Sequence, residues 1–124
     1  MWIWDQSAGT LSRNGKVIHS GYSGKGNGRN NPTMQGVRGI GPIPRGTWRI
    51  HAPYNSKNTG PYTLPVYAND KTPNNDTHDD TGRSAFRIHG DNKTGTASQG
   101  CIILPPTVRR MIWQSGDRDL TVVE

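Results

Sequence analysis

Apolar residues in this chain come in short runs, and most of the runs alternate with polar positions. Trp2 and Trp4 alternate with Ile3 and Asp5, then Ser-Ala-Gly-Thr intervenes and Leu11 opens a second run. Asn14-Gly15 is the pair that a type I′ turn requires, and Lys16-Val17-Ile18-His19-Ser20 returns from it. Residues 1–22 therefore predict a β-hairpin. Thr47 to Ile50 alternates as a half-buried strand, led in by a Pro-Gly turn over Gly41-Pro42-Ile43-Pro44-Arg45-Gly46. Residues 61–68, Pro-Tyr-Thr-Leu-Pro-Val-Tyr-Ala, predict another strand, and Pro65 within it predicts an edge or a bulge. Ala85, Phe86 and Ile88 predict a short strand that delivers His89 to its end. Ile102, Ile103 and Leu104 predict a buried segment that starts just after Cys101.

Only one stretch has helical spacing. Val108, Met111 and Ile112 share a face, Thr107 is the expected cap and Gly116 the expected stop, so a short helix is predicted near residues 107–115. Asp119 to Glu124 completes the chain as a strand. Between these elements lie a Gly- and Asn-rich stretch over 21–39, a loop over 51–60 and a polar surface insertion over 69–83. Gly24 and Gly26 do not make a phosphate loop, because no Gly-Lys-Ser/Thr follows. The 21–39 stretch is expected to border a binding cleft. No internal repeat is present.

Composition narrows the class. With 124 residues, 30% of them hydrophobic, 16 Gly and 9 Pro, the chain predicts one domain over residues 1–124, mainly β, with long loops around a modest core. A net charge of +6 and a pI near 9.9 favour a polyanionic partner. The arginines are scattered and no nucleic-acid module pattern appears, so nucleic acid is not expected. The start, Met-Trp-Ile-Trp-Asp-Gln, lacks the basic and apolar regions of a secretory signal, and no run is long enough for a membrane span. A protein made in the cytoplasm without a signal peptide, and a monomer, is expected.

The chemistry centres on the single cysteine. One cysteine excludes an internal disulfide. Cys101 and His89 each sit beside a glycine at the edge of an apolar run, and a short polar loop joins them. A thiol and an imidazole brought together in this way make a nucleophile with its base. Papain-like enzymes place the cysteine far upstream of the histidine, so the order here belongs to another architecture. Backbone N–H groups around Gly100 and Cys101 are candidate oxyanion donors. Ser98 could bond to the loop or to substrate. Asp91 could orient His89 or close the turn after Gly90. His19, His51 and His78 lack comparable settings.

These residues resemble a known family. His89-Gly90, then Ser98-Gln99-Gly100-Cys101-Ile102, is similar to the His-Gly, Ser-His-Gly-Cys motif of the YkuD-type L,D-transpeptidase catalytic domain. Gln99 stands where that family has His, and Ile103 where it usually has Arg. The chain more closely resembles a narrower group, the type VI secretion L,D-transpeptidase effectors, which are antibacterial toxins. The resemblance rests on Gly41 to Gly46, on Gly82-Arg83-Ser84 leading to Phe86-Arg87-Ile88-His89-Gly90-Asp91, and on Ala97-Ser98-Gln99-Gly100-Cys101-Ile102-Ile103-Leu104-Pro105. The Trp-rich opening and Gly21 to Gly24 extend it, from about residue 2 to 113.

The resemblance implies a compact YkuD-like β-sandwich or barrel. It implies a peptidoglycan-modifying cysteine enzyme that acts on stem tetrapeptides. Cys101 would be the nucleophile and His89 the base. Gly100, Ser98, Gly90, Asp91 and Arg83 would position substrate, with Arg83 meeting a stem carboxylate. Products would be those of L,D-carboxypeptidase action or of transpeptidation, including D-amino-acid exchange, without metal or cofactor. The implied partners are peptidoglycan stem peptides and a cognate immunity protein, and the site of action is the periplasm of a target bacterium. Three other readings compete. One is a non-catalytic wall- or glycan-binding module that uses Trp2 and Trp4, and another is a phage-derived wall hydrolase. The third is a metallopeptidase built on His78, His89 and Asp91.

Overall fold

The computed structural model describes residues 1–72 and 75–124. The strands run β1 (Trp2–Asp5), β2 (Thr10–Arg13), β3 (Lys16–Ser20), β4 (Tyr22–Ser23), β5 (Gly46–Ile50), β6 (Tyr54–Ser56), β7 (Gly60–Ala68), β8 (Arg87–His89), β9 (Ile102–Ile103) and β10 (Asp119–Val123). One α-helix, α1 (Pro106–Gln114), and two 3₁₀ turns, Gly26–Gly28 and Pro32–Met34, complete the chain. The mainly β class with a single short helix is as the sequence predicts.

Ten strands join in one mixed sheet, ordered β3-β2-β1-β10-β5-β7-β8-β9-β4, with β6 paired to β7 off this path. The opening hairpin is present as β2 and β3, and Asn14 and Gly15 both have positive φ, 54° and 76°, as a type I′ turn demands. β1 is extra to that hairpin. It pairs antiparallel with β2 and parallel with β10, Trp2 against Leu120 and Trp4 against Val122. Both tryptophans are buried. Their rings serve the core, and neither offers a face on which a sugar could stack, which removes the feature a glycan-binding module would have used.

Strand β7 carries the sheet from one half to the other. Its first residues pair with β6, Leu64 and Pro65 pair with Ile88 and Arg87 of β8, and Val66 to Ala68 pair with β5. Pro65 therefore lies inside the sheet and not at its edge. The Pro65 carbonyl accepts from the His51 N–H at 2.8 Å, on the side where the neighbouring strand is interrupted between Ile50 and Tyr54. The N–H that proline lacks would have faced this gap, so the residue costs no ladder bond there. The strand β6 falls within residues that the sequence reads as loop.

α1 starts at Pro106, one residue before the predicted Thr107 boundary, because proline at the first helical position has its φ preset and its missing N–H is not needed. No side chain caps it. Val108 and Ile112 face the core as predicted, but Met111 is exposed and Arg109 takes the inward place. Arg109 is buried because its guanidinium and Nε reach the carbonyls of Pro61, Tyr62 and Leu104 at 2.7–3.0 Å.

The segment 69–83 contains residues 73 and 74, which lie outside the described residues. The rest of it is not simply solvated. His78 is buried, stacks on Trp48 with ring centroids 5.5 Å apart, and bonds Thr81 through Nδ1. Trp48 in turn meets Phe86 edge-on at 5.1 Å. This aromatic column backs the strand that ends at His89. Ile88, fully buried between β7 and β9, anchors that strand. Ile88→Ala should lower the unfolding free energy by about 2–5 kcal/mol, whereas Val17→Ala on the outer strand β3 should change it by about 0.5 kcal/mol or less. Urea titration of both variants checks the contrast.

Candidate active site

β8 and β9 run parallel, with Ile88 opposite Ile102 and His89 opposite Ile103. Side chains alternate along a strand, so Ile88 and Ile102 point to the core while His89 points to the other face. Cys101, two residues before Ile103, shares that face with His89. Both line a cavity of about 420 Å³ together with Arg38, Asn58, Thr59, Phe86 and Gln99. A second cavity of about 340 Å³ borders His89 on the side of Gly90, Asp91 and Asn92. The two residues expected to meet are thus brought to one opening. Among the described residues, no hydrogen bond joins the thiol to the imidazole.

His89 Nδ1 lies 2.9 Å from the Gly90 carbonyl. A carbonyl can only accept, so Nδ1 carries the proton and Nε2 presents a lone pair. Burial is the main reason His89 has its pKa lowered from 6.5. The Gly90 bond opposes that shift, Arg109 adds to it and Asp91 opposes it. The imidazole is neutral at pH 7 and able to take a proton. Asp91 does not orient it through a hydrogen bond. Its carboxylate accepts from the Tyr22 hydroxyl at 2.5 Å and from the Asn92 N–H at 2.8 Å. The same Tyr22 hydroxyl accepts from the Ala97 N–H at 3.0 Å, so Tyr22 ties both ends of the 91–97 loop.

Burial pushes the Cys101 thiol up to about 11, against a downward pull from the Arg87 N–H and from the charges of Arg87 and Arg83. Sγ donates to the Ala85 carbonyl at 3.6 Å. That carbonyl is aimed by a left-handed turn, with Ala85 at φ 65°, which costs a non-glycine residue about 1 kcal/mol. Ala85 is therefore a left-handed residue outside the sheet and not the strand residue its apolar context predicts; β8 begins two residues later. The resting site holds a thiol and a neutral imidazole. An ion pair already formed, with a thiolate ready at neutral pH, is not what this environment favours.

Ser98 is frame and not contact surface, whereas Gly100 belongs to the frame and also lines the cavity. Ser98 is fully buried. Its Oγ accepts from the N–H groups of Gly24 and Gly100 at 2.8 and 3.1 Å and donates to the Cys101 carbonyl at 2.5 Å. The Gly100 N–H is therefore committed to Ser98 and is not an oxyanion donor. The Gly100 carbonyl accepts from Ser23 Oγ at 2.9 Å, and Ser23 Oγ accepts from the Ile43 N–H at 2.8 Å. Gly100 has φ 135°, and a Cβ there would lie 2.5 Å from Arg83 Nη2, so a side chain at this position is excluded by backbone and space alike.

Arg83 is a buried part of the cavity wall. Nη1 donates to the Gln35 and Pro42 carbonyls at 2.6 and 2.8 Å, and Nη2 to the Gly41 and Gln99 carbonyls at 2.9 and 3.1 Å. All four terminal N–H groups are spent on the backbone, so Arg83 is a clamp whose fork is not free to grip a substrate carboxylate. Tyr22, Ser23 and Arg109 carry no sequence signal that marks them as site residues. Tyr22 reaches Asp91, Ser23 reaches Gly100 and Arg109 reaches Pro61 across 48 to 77 residues, and no local pattern marks such a contact. Among the described residues, no group of three His, Cys, Asp or Glu side chains is arranged to hold a metal.

The model of the Tlde1 domain family matches this chain over residues 18–122, a span that includes the whole cavity wall. No curated protein matches it.

The thiol's environment makes a direct prediction. With a pKa near 11, alkylation of Cys101 by iodoacetamide should speed up about tenfold per pH unit from pH 7 to 9, without levelling off. A plateau between pH 5 and 8 would instead reveal a preformed thiolate–imidazolium pair. Stopped-time alkylation followed by intact mass distinguishes the two.

Proposed function

This chain belongs to the Tlde1 domain family of type VI secretion L,D-transpeptidase effectors, and we propose that it cleaves peptidoglycan stem tetrapeptides through a Cys101 thioester. The observation that carries the reading is the shared opening of Cys101 and His89 into one cavity, with His89 Nδ1 held by the Gly90 carbonyl. That bond leaves Nε2 as the base.

In the first half-reaction Nε2 takes the thiol proton as Sγ attacks the carbonyl of the third, L-centred residue of the stem. Because thiol and imidazole both rest neutral, the proton moves as the carbon–sulfur bond forms. The Cys101 N–H is the oxyanion donor, since that of Gly100 is occupied. Collapse of the tetrahedral intermediate breaks the peptide bond, and the imidazolium returns its proton to the departing D-Ala amine. In the second half-reaction Nε2 deprotonates the acceptor. Water gives the tripeptide, a free D-amino acid gives exchange, and the amine of a second stem gives a crosslink. Each route releases the thiol unchanged.

Arg83, Ser98, Ser23 and Tyr22 act by holding the 97–101 loop against the 21–24 and 35–42 segments, so that the nucleophile does not wander. The YkuD-type domain is the architecture this arrangement is taken to share. The target would be the wall of a recipient cell, in its periplasm, and the producing cell would need an immunity protein that seals the cleft. The enzyme would act as a monomer.

Incubation with tetrapeptide-rich sacculi followed by muropeptide separation tests the reading. Tetrapeptides should convert to tripeptides, or to exchanged stems when a D-amino acid is supplied. Cys101→Ala should lose activity by about a thousandfold or more, and His89→Gln by about 10²–10⁴-fold. Unchanged muropeptides with wild-type protein would refute it.

A further inference from the structure

Arg38 stands apart from the other arginines. Arg13, Arg45, Arg49 and Arg87 are in ion pairs. Arg29, Arg110 and Arg118 lie over the rings of Tyr22, Tyr62 and Trp113. Arg83 and Arg109 are buried on backbone carbonyls. Among the described residues Arg38 has no ion pair and no aromatic partner. Its one hydrogen bond, to the Gly82 carbonyl, is long at 3.4 Å. It is nevertheless a wall residue of the cavity that holds Cys101 and His89.

The cavity supplies no counter-charge of its own. Its lining includes Arg38 and Arg83 and no aspartate or glutamate. The two guanidiniums are near enough that the charge of Arg38 helps to lower the pKa of Arg83, after burial as the main cause. Arg83 has both terminal nitrogens committed to carbonyls, so its fork cannot clasp a ligand, whereas Arg38 has its fork almost entirely free. Two like charges at the wall of a concave site, uncompensated by the protein, favour an anionic occupant.

The local frame gives Arg38 a fixed origin. It sits in a turn where the Val37 N–H bonds the Met34 carbonyl and the Gly41 N–H bonds the Val37 carbonyl, both at 2.9 Å. Arg83 grips the carbonyls on both sides of that turn, Gln35 before it and Gly41 and Pro42 after it, and with the same guanidinium grips Gln99 beside the nucleophile loop. The turn that presents Arg38 and the loop that presents Cys101 are thus fastened to one buried group. The distance from the Cys101 loop to the backbone of Arg38 is set by the fold, while the exposed side chain itself can adjust.

We propose that Arg38 binds a free carboxylate of the substrate in the Cys101 cavity and so selects the position of cleavage along the stem. A guanidinium fork meets a carboxylate with two parallel N–H bonds, which fixes direction as well as distance. The inference rests on the stem-peptide reading above. Two carboxylates of such a stem have this chemistry, the C-terminal one of D-Ala and the one on the side chain of diaminopimelate.

The test measures binding in the Cys101→Ala protein, so that it does not depend on turnover. Calorimetry would follow a synthetic tetrapeptide stem and two forms of it, one amidated at the terminal carboxylate and one at the side-chain carboxylate. Adding Arg38→Gln should weaken binding of the free stem about tenfold, the scale expected for a lost charged hydrogen-bond pair. One amidated stem should bind the Arg38 protein about tenfold more weakly and show no further loss with Arg38→Gln. That stem identifies the carboxylate held. Arg38→Lys, which keeps the charge without the fork, should fall between. Equal affinity for the free stem with and without Arg38→Gln would overturn the proposal, as would an equal loss for all three stems. Stem binding that depends on Arg38 in a protein whose Cys101 form leaves sacculi untouched would uphold the carboxylate site and refute the hydrolase reading. Absence of stem binding would overturn the carboxylate site.

Discussion

The parallel register of β8 against β9 is the constraint on which the site depends. Ile88 opposite Ile102 commits one face of the pair to the core, and the alternation of the strands then commits His89 and the residue before β9, Cys101, to the opposite face. A slip of one residue would turn the imidazole into the apolar core and an isoleucine toward the cavity. The register is held by burial of Ile88 and Ile102, by Leu104, whose N–H bonds the His89 carbonyl at 3.1 Å, and by β4 on the far side of β9. Chemistry at this site is therefore a consequence of hydrophobic pairing two residues wide.

Two buried polar groups convert that pairing into a shaped cavity. Ser98 turns the 98–101 loop by satisfying two N–H groups and the Cys101 carbonyl at once. Arg83 collects four carbonyls from two segments that Ser23 Oγ also bridges. Removing either side chain would leave several buried backbone groups without partners, at about 1–3 kcal/mol each. The result is a Cys101 loop tied down by its backbone. On the proposed reading, the thiol, whose pKa burial raises, gives up its proton only when a substrate carbonyl and His89 act on it together.

Much of this is legible in the sequence where the cause is local. The Asn14-Gly15 turn, the strands around Trp48 and Leu64, the helix after Pro105 and the strand-end positions of His89 and Cys101 all follow from periodicity and turn chemistry. What escapes has non-local causes. β6 and β4 exist only because β7 and β9 lie beside them. Pro65 is tolerated inside the sheet because a partner strand happens to break opposite it. Arg83 reads as a substrate-binding cation, since nothing in its neighbours announces four carbonyls from residues 16 to 48 positions away. Gly100 reads as an oxyanion donor because the motif does not show that Ser98 has taken its N–H. Ala85 reads as strand because its left-handed turn is imposed from outside.

The most direct test of the account is to look for the covalent intermediate. Intact-mass measurement of the protein mixed briefly with tetrapeptide stem should show a fraction heavier by the stem less its terminal D-Ala, with the adduct on the peptide that contains Cys101. It should vanish in Cys101→Ala. Tripeptide formed by wild-type protein without any adduct, and formed equally by Cys101→Ala, would contradict the assignment of Cys101 as nucleophile.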